Sequence, residues 1–263
     1  MNPLFIRIAL SFIIAGIWIA AATFLGERLG SRKAGLIANM PSNILISLIF
    51  VSITRGPEYA AATTAGVPMG MMIDTVFLAV FIFALRAGLW KALAAGFAAW
   101  ALCAVFVLVI LPPLEFGVSL LVYSVVTVCL FLLVHWKLGV KKVEKKPVRF
   151  SWKVAAVRAF FAGSVVAGAV TIAQVAPPYM TGVLATFPAA LTSALVILTM
   201  SQGRDFTQAT GKILILSSCN IIVYTTCAGA LFPRIGPWWG TLISFAASFC
   251  FILFLNRVTA KIR

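Results

Sequence analysis

Runs of about twenty mostly apolar residues follow one another along almost the whole of this chain. A helix that crosses the hydrocarbon core of a bilayer needs roughly 20 such residues, and it pairs its backbone polar groups internally. The runs lack the alternation of barrel strands. They predict an all-α polytopic membrane protein with nine transmembrane helices. The expected spans are about 5–25, 35–54, 64–85, 89–110, 113–136, 154–175, 179–200, 210–232 and 238–257.

Composition excludes a soluble domain, because 62% of the 263 residues are hydrophobic and only 10% are charged. A net charge of +15 would point to nucleic acid in a soluble protein. Here the basic residues lie between apolar runs, where they act as orientation signals. We therefore expect membrane lipids and no nucleic acid as partners. The five cysteines all lie in expected spans without metal spacing, so we expect neither a metal nor a cofactor.

The basic residues also predict an orientation. All of them except Arg7, Arg55 and Arg234 follow spans 1, 3, 5 and 7 or lie near the C-terminus. Because cytoplasmic loops are enriched in Lys and Arg, the N-terminus is expected outside and the C-terminus in the cytoplasm. The expected location is the cell membrane, the inner or plasma membrane, with multiple passes.

The chain contains an internal repeat with an offset of 147 residues. Identical pairs include Gly35/Gly182, Pro41/Pro188, Gly56/Gly203 and Thr63/Thr210. We expect a first four-helix repeat at 1–110, a connecting helix and cytoplasmic basic linker at 111–153, and a second four-helix repeat at 154–263. This 4 + 1 + 4 order inverts the second unit, because the odd helix turns it over. Inverted repeats occur in many secondary transporters; the alternative is a duplication that only enlarges a stable bundle.

Three motifs recur in both units: a basic residue that opens the first span, a Gly-Leu-Ile-type start of the second span with a proline, and a Gly-x-acid-aromatic segment at its end. They are Arg7, Gly35-Leu36-Ile37 with Pro41, and Gly56-Pro57-Glu58-Tyr59 in the first unit, and Arg158, Gly182-Val183-Leu184 with Pro188, and Gly203-Arg204-Asp205-Phe206 in the second. Each unit resembles the small four-span GlpM-like inner-membrane proteins. The resemblance implies a tandem, inverted duplication of that family, and it carries no settled activity and no catalytic residues.

Prolines fall about two turns into spans 2 and 7, at Pro41 and Pro188. Proline interrupts a helix, and interrupted helices at matching positions of two repeats point to a binding site. Polar side chains lie nearby. Asn39, Ser42 and Asn43 share one helix face, and Ser217 and Asn220 lie in span 8. They are candidate substrate- or ion-binding residues, and the alternative is hydrogen bonding between helices.

Asp74 lies about ten residues into span 3 and is the one carboxylate well inside a span. Such groups are costly in lipid and usually mark ion or proton paths. The alternative is a structural aspartate bonded to Asn39, Asn43 or Thr75. Its repeat mate is Ile221, which is adjacent to Asn220.

Repeat symmetry predicts two equivalent gate pairs at the ends of the spans, Arg7–Glu58 outside and Arg158–Asp205 inside. The alternative is that each residue only pins a helix end, since exposed ion pairs contribute about 0–1 kcal/mol.

The sequence favours a secondary transporter-like protein for a small solute or ion, with Asp74 as the candidate for proton coupling, over a non-transporting membrane scaffold or assembly protein. No constellation for enzyme chemistry is evident, because His135 is the single histidine and no nucleophile motif is present. A polar midplane cavity that touches Asp74 would favour the transporter, and a solid apolar core there would favour the scaffold.

Overall fold

The computed structural model describes residues 3–28, 40–138 and 151–262, and this part of the chain forms helices joined by short turns. The helices that precede the basic linker are α1 (Pro3–Arg28), α2 (Ser42–Arg55), α3 (Pro57–Thr63), α4 (Val67–Ala84), α5 (Leu89–Val105) and α6 (Phe116–Leu138). Those that follow it are α7 (Trp152–Ile172), α8 (Pro178–Ala185), α9 (Ala189–Gln202), α10 (Arg204–Ser217) and α11 (Cys219–Ile262). A 3₁₀ turn at Thr64–Gly66 joins α3 to α4, and a π-helical turn at Phe106–Ile110 extends α5.

Seven helical segments of the described chain are long and apolar enough to cross a membrane, by length and composition. They are Pro3–Ala22, Pro57–Ala87, Leu89–Ile110, Phe116–Leu138, Trp152–Ile172, Pro178–Gln202 and Arg204–Leu255. Helix α2 is apolar but has only 14 residues. These segments are the architecture of a multi-pass membrane protein, as the apolar runs predict.

Four glycines with positive φ divide the helices at corresponding places of the two halves. Gly56 (φ 94°) and Gly203 (φ 91°) are 147 residues apart, and Gly88 (φ 111°) and Gly236 (φ 77°) are 148 apart. Glycine adopts this backbone region without a Cβ penalty, so each position ends one helix and lets the next begin. Gly236 lies between Pro233 and Pro237 and divides the long α11 into two helices.

The first glycine pair corrects two expected span boundaries. Spans 3 and 8 were expected to begin near residues 64 and 210, whereas the helices begin at Pro57 and Arg204. Glu58 and Asp205 therefore lie in the first turns of α3 and α10 and do not end the preceding spans. The physical reason is that a carboxylate is favourable at the positive end of the helix dipole, directly after a glycine that stops the previous helix.

The first helices of the two halves, α1 and α7, pack along one another in opposite directions. Gly16 lies against Ala159, and Gly163 lies against Phe12. As the residue number rises on α1 it falls on α7, so the two helices are antiparallel. Small residues at these contacts let the backbones approach closely, as is usual between helices in lipid.

Helix α8 crosses the start of α4 at very close range. A Cβ on Gly66 would overlap the Tyr179 carbonyl, and a Cβ on Gly70 would lie 2.7 Å from the Val183 carbonyl oxygen. A Cβ on Gly182 would likewise overlap the Thr63 carbonyl, so both segments need glycine where they cross. This crossing brings the C-terminal end of α8 onto the first turn of α4, one turn before Asp74.

The core is built from the faces of α2, α4, α6 and α11, while other faces stay apolar and exposed. The largest fully buried side chains include Tyr123, Tyr224, Phe77, Phe81 and Phe232. Trp90, Trp136, Trp152, Trp238 and Trp239 are all exposed near helix ends. Exposed tryptophans at helix ends are typical of membrane interfaces. Most of the basic linker lies outside the described residues.

Candidate functional site

The second proline of the repeat stands in a true helix break. Helix α8 ends at Ala185, Pro188 has φ −80° and ψ 35°, and α9 begins at Ala189. The Ala189 amide would donate to the Ala185 carbonyl in a continuous helix, but it donates to the Phe187 carbonyl at 2.8 Å. The break therefore releases the Ala185 carbonyl from its helical donor.

The first proline has the same local geometry. Pro41 has φ −76° and ψ 47°, and the Ser42 amide donates to the Met40 carbonyl at 2.7 Å, directly before α2 begins. Thus both prolines precede a helix start rather than bend a continuous helix. The first residues of expected span 2, from Gly35 to Asn39, lie outside the described residues.

Asp74 lies at the level of the second break. Its side chain sits on α4, one turn after Gly70, and Gly70 packs directly on Val183 and Thr186. The residue is only 7% exposed. The indole Nε1 of Trp100 on α5 donates a hydrogen bond to Asp74 Oδ1 at 3.1 Å.

Trp100 connects this carboxylate to the break itself. The ring of Phe187, which is part of the break, packs edge-on against Trp100 with centroids 4.8 Å apart. Phe187 also stacks on Phe97 at 6.0 Å. Asp74, Trp100 and Phe187 thus form one cluster that unites α4, α5 and the interrupted helix, and we call it the Asp74 cluster.

The partners that the sequence offered for Asp74 are placed elsewhere. Asn39 lies outside the described residues, and the Thr75 hydroxyl donates to the Met71 carbonyl at 2.8 Å. The buried Oδ1 of Asn43 has no hydrogen-bond partner among the described residues. Asp74 is therefore bonded to an indole, a donor that sequence spacing gave no reason to select.

The remaining polar candidates bond close to their own backbone. Ser42 donates to the Met40 carbonyl at 3.4 Å, and Ser217 donates to the Leu214 carbonyl at 3.3 Å. Both residues are buried. Local bonds of this kind satisfy a hydroxyl without a partner on another helix, so neither bond links Ser42 or Ser217 to the Asp74 cluster.

Asn220 takes part in a contact of the second half of the chain that corresponds in position to the Asp74–Trp100 contact of the first half. Ser248 donates to Asn220 Oδ1 at 2.7 Å, and both residues are fully buried. Ser248 follows Trp100 by 148 residues, the same offset that relates Gly88 to Gly236. Asn220 is one residue before the mate of Asp74. One buried polar pair therefore joins α4 to α5, and another joins the two parts of α11 on either side of Gly236; only the first pair contains an ionisable group.

The two expected gate pairs are not formed as ion pairs in the part of the chain that the structure describes. Arg7 donates from Nη1 to the Ile53 carbonyl at 3.1 Å, at the C-terminal end of α2. Asp205 pairs with its neighbour Arg204 at 3.2 Å, and both side chains are more than half exposed. A guanidinium is favourable at a helix C-terminus because of the exposed carbonyls, which accounts for the position of Arg7.

A network at the start of α3 ties the two halves together and was not foreseen. The Tyr59 hydroxyl donates to the Ala176 carbonyl at 2.7 Å and lies 2.9 Å from the Thr181 hydroxyl. The Arg55 guanidinium stacks over the Tyr59 ring at 4.8 Å. Tyr59 belongs to the Gly-x-acid-aromatic motif, which was the one sequence signal for this contact.

A cleft of about 400 Å³ opens near this network. It is lined by Ala61, Ala62, Thr64, Phe116, Thr226, Gly229 and Ala230, and Asp74 is not among its lining residues. In the described residues no three His, Cys, Asp or Glu side chains lie close enough together to hold a metal ion. The cleft and the Asp74 cluster are therefore separate features.

Part of the chain matches a known protein family. Residues 8–112 match a family described as Protein of unknown function (DUF3147). No curated protein and no solved structure matches the chain. The matched part holds Asp74, Trp100 and Pro41, whereas the second half lies outside it.

Proposed function

We propose that this protein is a secondary transporter-like membrane protein that moves a small solute or ion, with Asp74 as its proton- or cation-sensitive group. The observation that carries the proposal is the Asp74 cluster: a carboxyl that is 7% exposed, with one neutral donor, beside an interrupted helix. A carboxylate inside a membrane protein is expensive to keep without function. Broken helices that meet such a group are the usual construction of a transport site.

The proposal includes the 4 + 1 + 4 arrangement. Dividing the long last segment at Gly236 and adding α2 to the seven apolar segments gives nine spans. The antiparallel packing of α1 and α7 supports inverted halves, because these helices open the two repeats. The match over residues 8–112 covers nearly the same stretch as the first expected repeat. The proposed orientation keeps the N-terminus outside.

The proposed chemistry follows from the surroundings of Asp74. Trp100 donates one neutral hydrogen bond, which stabilises the carboxylate without cancelling its charge. A proton or a small cation would cancel that charge in a medium of low dielectric constant. Because Phe187 belongs to the break and covers Trp100, a rearrangement at Pro188 would move this aromatic wall and expose Asp74.

A flux assay in proteoliposomes tests the proposal. Purified protein should move protons or a monovalent cation down an imposed gradient, and Asp74→Asn should reduce that flux to the level of empty vesicles. Asparagine keeps an oxygen for the Trp100 indole, so the fold should persist. Glu115→Gln removes an exposed carboxylate just before α6 and is the matched control. Unchanged flux in Asp74→Asn contradicts the role given to Asp74.

The second candidate function is a non-transporting scaffold, and the enclosure of Asp74 favours it. The carboxyl is covered by Trp100 and Phe187, and the cleft near Tyr59 does not reach it. In that case the protein would move nothing, and Asp74→Asn would change only its melting temperature. The same flux and melting measurements on the same variant therefore separate the two functions.

A further inference from the structure

Three hydroxyl side chains form a buried line on α6, the odd helix between the two halves. Ser119, Tyr123 and Thr127 are 0%, 2% and 2% exposed. They are spaced by four residues, so they lie on one face of the helix. The opposite face of α6 carries exposed apolar residues such as Leu121 and Val125.

This face is directed at the junction between α10 and α11. The Tyr123 hydroxyl lies 2.7 Å from the Ser218 hydroxyl and 3.5 Å from Cys219 Sγ, at the turn where α10 ends. The Ser119 hydroxyl, one turn before Tyr123, has no hydrogen-bond partner among the described residues. The Thr127 hydroxyl, one turn after, makes no hydrogen bond of good geometry there, although it lies near the Tyr123 hydroxyl. Buried hydroxyls are nearly always bonded to protein or to ordered water, so we expect water molecules to bond to the hydroxyls of this line.

The line of hydroxyls on α6 begins next to the cleft. Phe116 and Thr226 both line the cleft, and Ser119 follows Phe116 by less than one helical turn. Ser218 lies about two turns before Thr226 on the neighbouring helix. From the cleft, α6 on one side and the start of α11 on the other therefore both lead inward to the Tyr123–Ser218 contact.

The line ends at the level of Asp74. Early residues of α4, such as Met69, share an apolar cluster with Val122 of α6. Later residues of α4, such as Phe81, share one with Leu130 and Val134. The two helices therefore run side by side in one direction, and Asp74 lies at the height of residues between 122 and 130, where Thr127 stands.

We propose that the α6 hydroxyl line is a water-filled path that carries protons from the cleft to the level of Asp74. The inference rests on the proposed function, since it gives that site an entrance and a transported species. A proton would leave a hydronium ion in the cleft, pass along waters bonded to Ser119, Tyr123 and Thr127, and form an O–H bond on the Asp74 carboxylate. Water chains held by hydroxyls suit protons, because each water both donates and accepts.

Thiol labelling in vesicles tests the path independently of flux. In a background with the five native cysteines replaced by alanine, Ser119→Cys and Thr127→Cys should react with a small, membrane-impermeant methanethiosulfonate, because thiolates form only where water reaches them. Val128→Cys, on the exposed apolar face at the same height, is the matched control. The two hydroxyl positions should react at least about ten times faster than the control.

Equal, slow labelling at all three positions overturns the path, and a melting temperature for each variant shows that it is folded. Thr127→Val, which removes the hydroxyl and keeps the shape, should also lower proton flux at least about tenfold if the hydroxyl holds the water chain. If Asp74→Asn abolishes flux while the labelling fails, the path is wrong and the proposed function stands. If labelling succeeds while Asp74→Asn keeps full flux, water enters the line of hydroxyls, but Asp74 is not its end and the proposed function is wrong.

Discussion

The indole N–H of Trp100 donates to the carboxylate of Asp74 across 3.1 Å and joins α5 to α4 inside the bundle. Tryptophan has one donor and no acceptor, so its single N–H is used by the carboxylate of Asp74, which is a buried acceptor. Loss of a buried partner costs more than the bond itself contributes, because the remaining group stays desolvated.

Trp100→Phe should therefore lower stability by about 1–3 kcal/mol, since it leaves a buried acceptor without its donor. Thermal melting in detergent measures the change. Trp90→Phe, at a position that is 78% exposed, is the matched control and should melt like the parent. Adding Asp74→Leu to Trp100→Phe should recover part of the loss; equal melting of the two tryptophan variants would contradict the assignment.

Gly66→Ala should disturb the crossing of α4 and α8, because a Cβ there would overlap the Tyr179 carbonyl. Overpacking of this kind costs about 1–3 kcal/mol, seen as a lower melting temperature. Gly168→Ala is the control, since its added Cβ would have no atom within 4 Å apart from its chain neighbours and its own helix backbone. There the change should be neutral or stabilising, by up to about 1 kcal/mol, because alanine is the better helix former. A melting temperature for Gly66→Ala at or above that of Gly168→Ala would show that the two backbones are not in close contact.

Ser248→Ala should lower stability without abolishing flux. It removes the donor to Asn220 Oδ1, at an expected cost of about 1–2 kcal/mol. Since Asn220 carries no charge, this pair is structural in our proposal, and only Asp74 responds to protons or cations. Ser164→Ala, which removes an exposed hydroxyl bonded to its own helix, serves as the control. Loss of flux in Ser248→Ala at unchanged stability would assign the second half an active part instead.

Glu58→Cys and Asp205→Cys should react with an impermeant thiol reagent from opposite sides of the membrane. Both positions are exposed and lie in the first turns of equivalent helices, α3 and α10. Inverted halves place them outside and in the cytoplasm, respectively. Labelling of both from one side would mean that the halves run in the same direction, and the 4 + 1 + 4 arrangement would then be abandoned.

Some of the candidate site was visible in the sequence. A carboxylate within an apolar run and two prolines at matching positions are local features, so Asp74, Pro41 and Pro188 could be selected without a structure. Trp100 and Ser248 could not, because an indole or a serine in a span is usually interfacial or local in its bonding. Nothing in the sequence selects Phe187 either. It becomes part of the site only through the break at Pro188.

By itself the sequence determined the class of protein and the glycines and prolines at which a helix can be interrupted. Apolar length sets what can cross a bilayer, and glycine and proline act on their own backbone, so both kinds of information are local. Only the tertiary structure decided which side chains meet: that Asp74 bonds Trp100 rather than an asparagine, and that Asn220 bonds Ser248. The reason is that helix rotation and crossing depend on packing against several neighbours at once, through close contacts such as Gly66 on Tyr179.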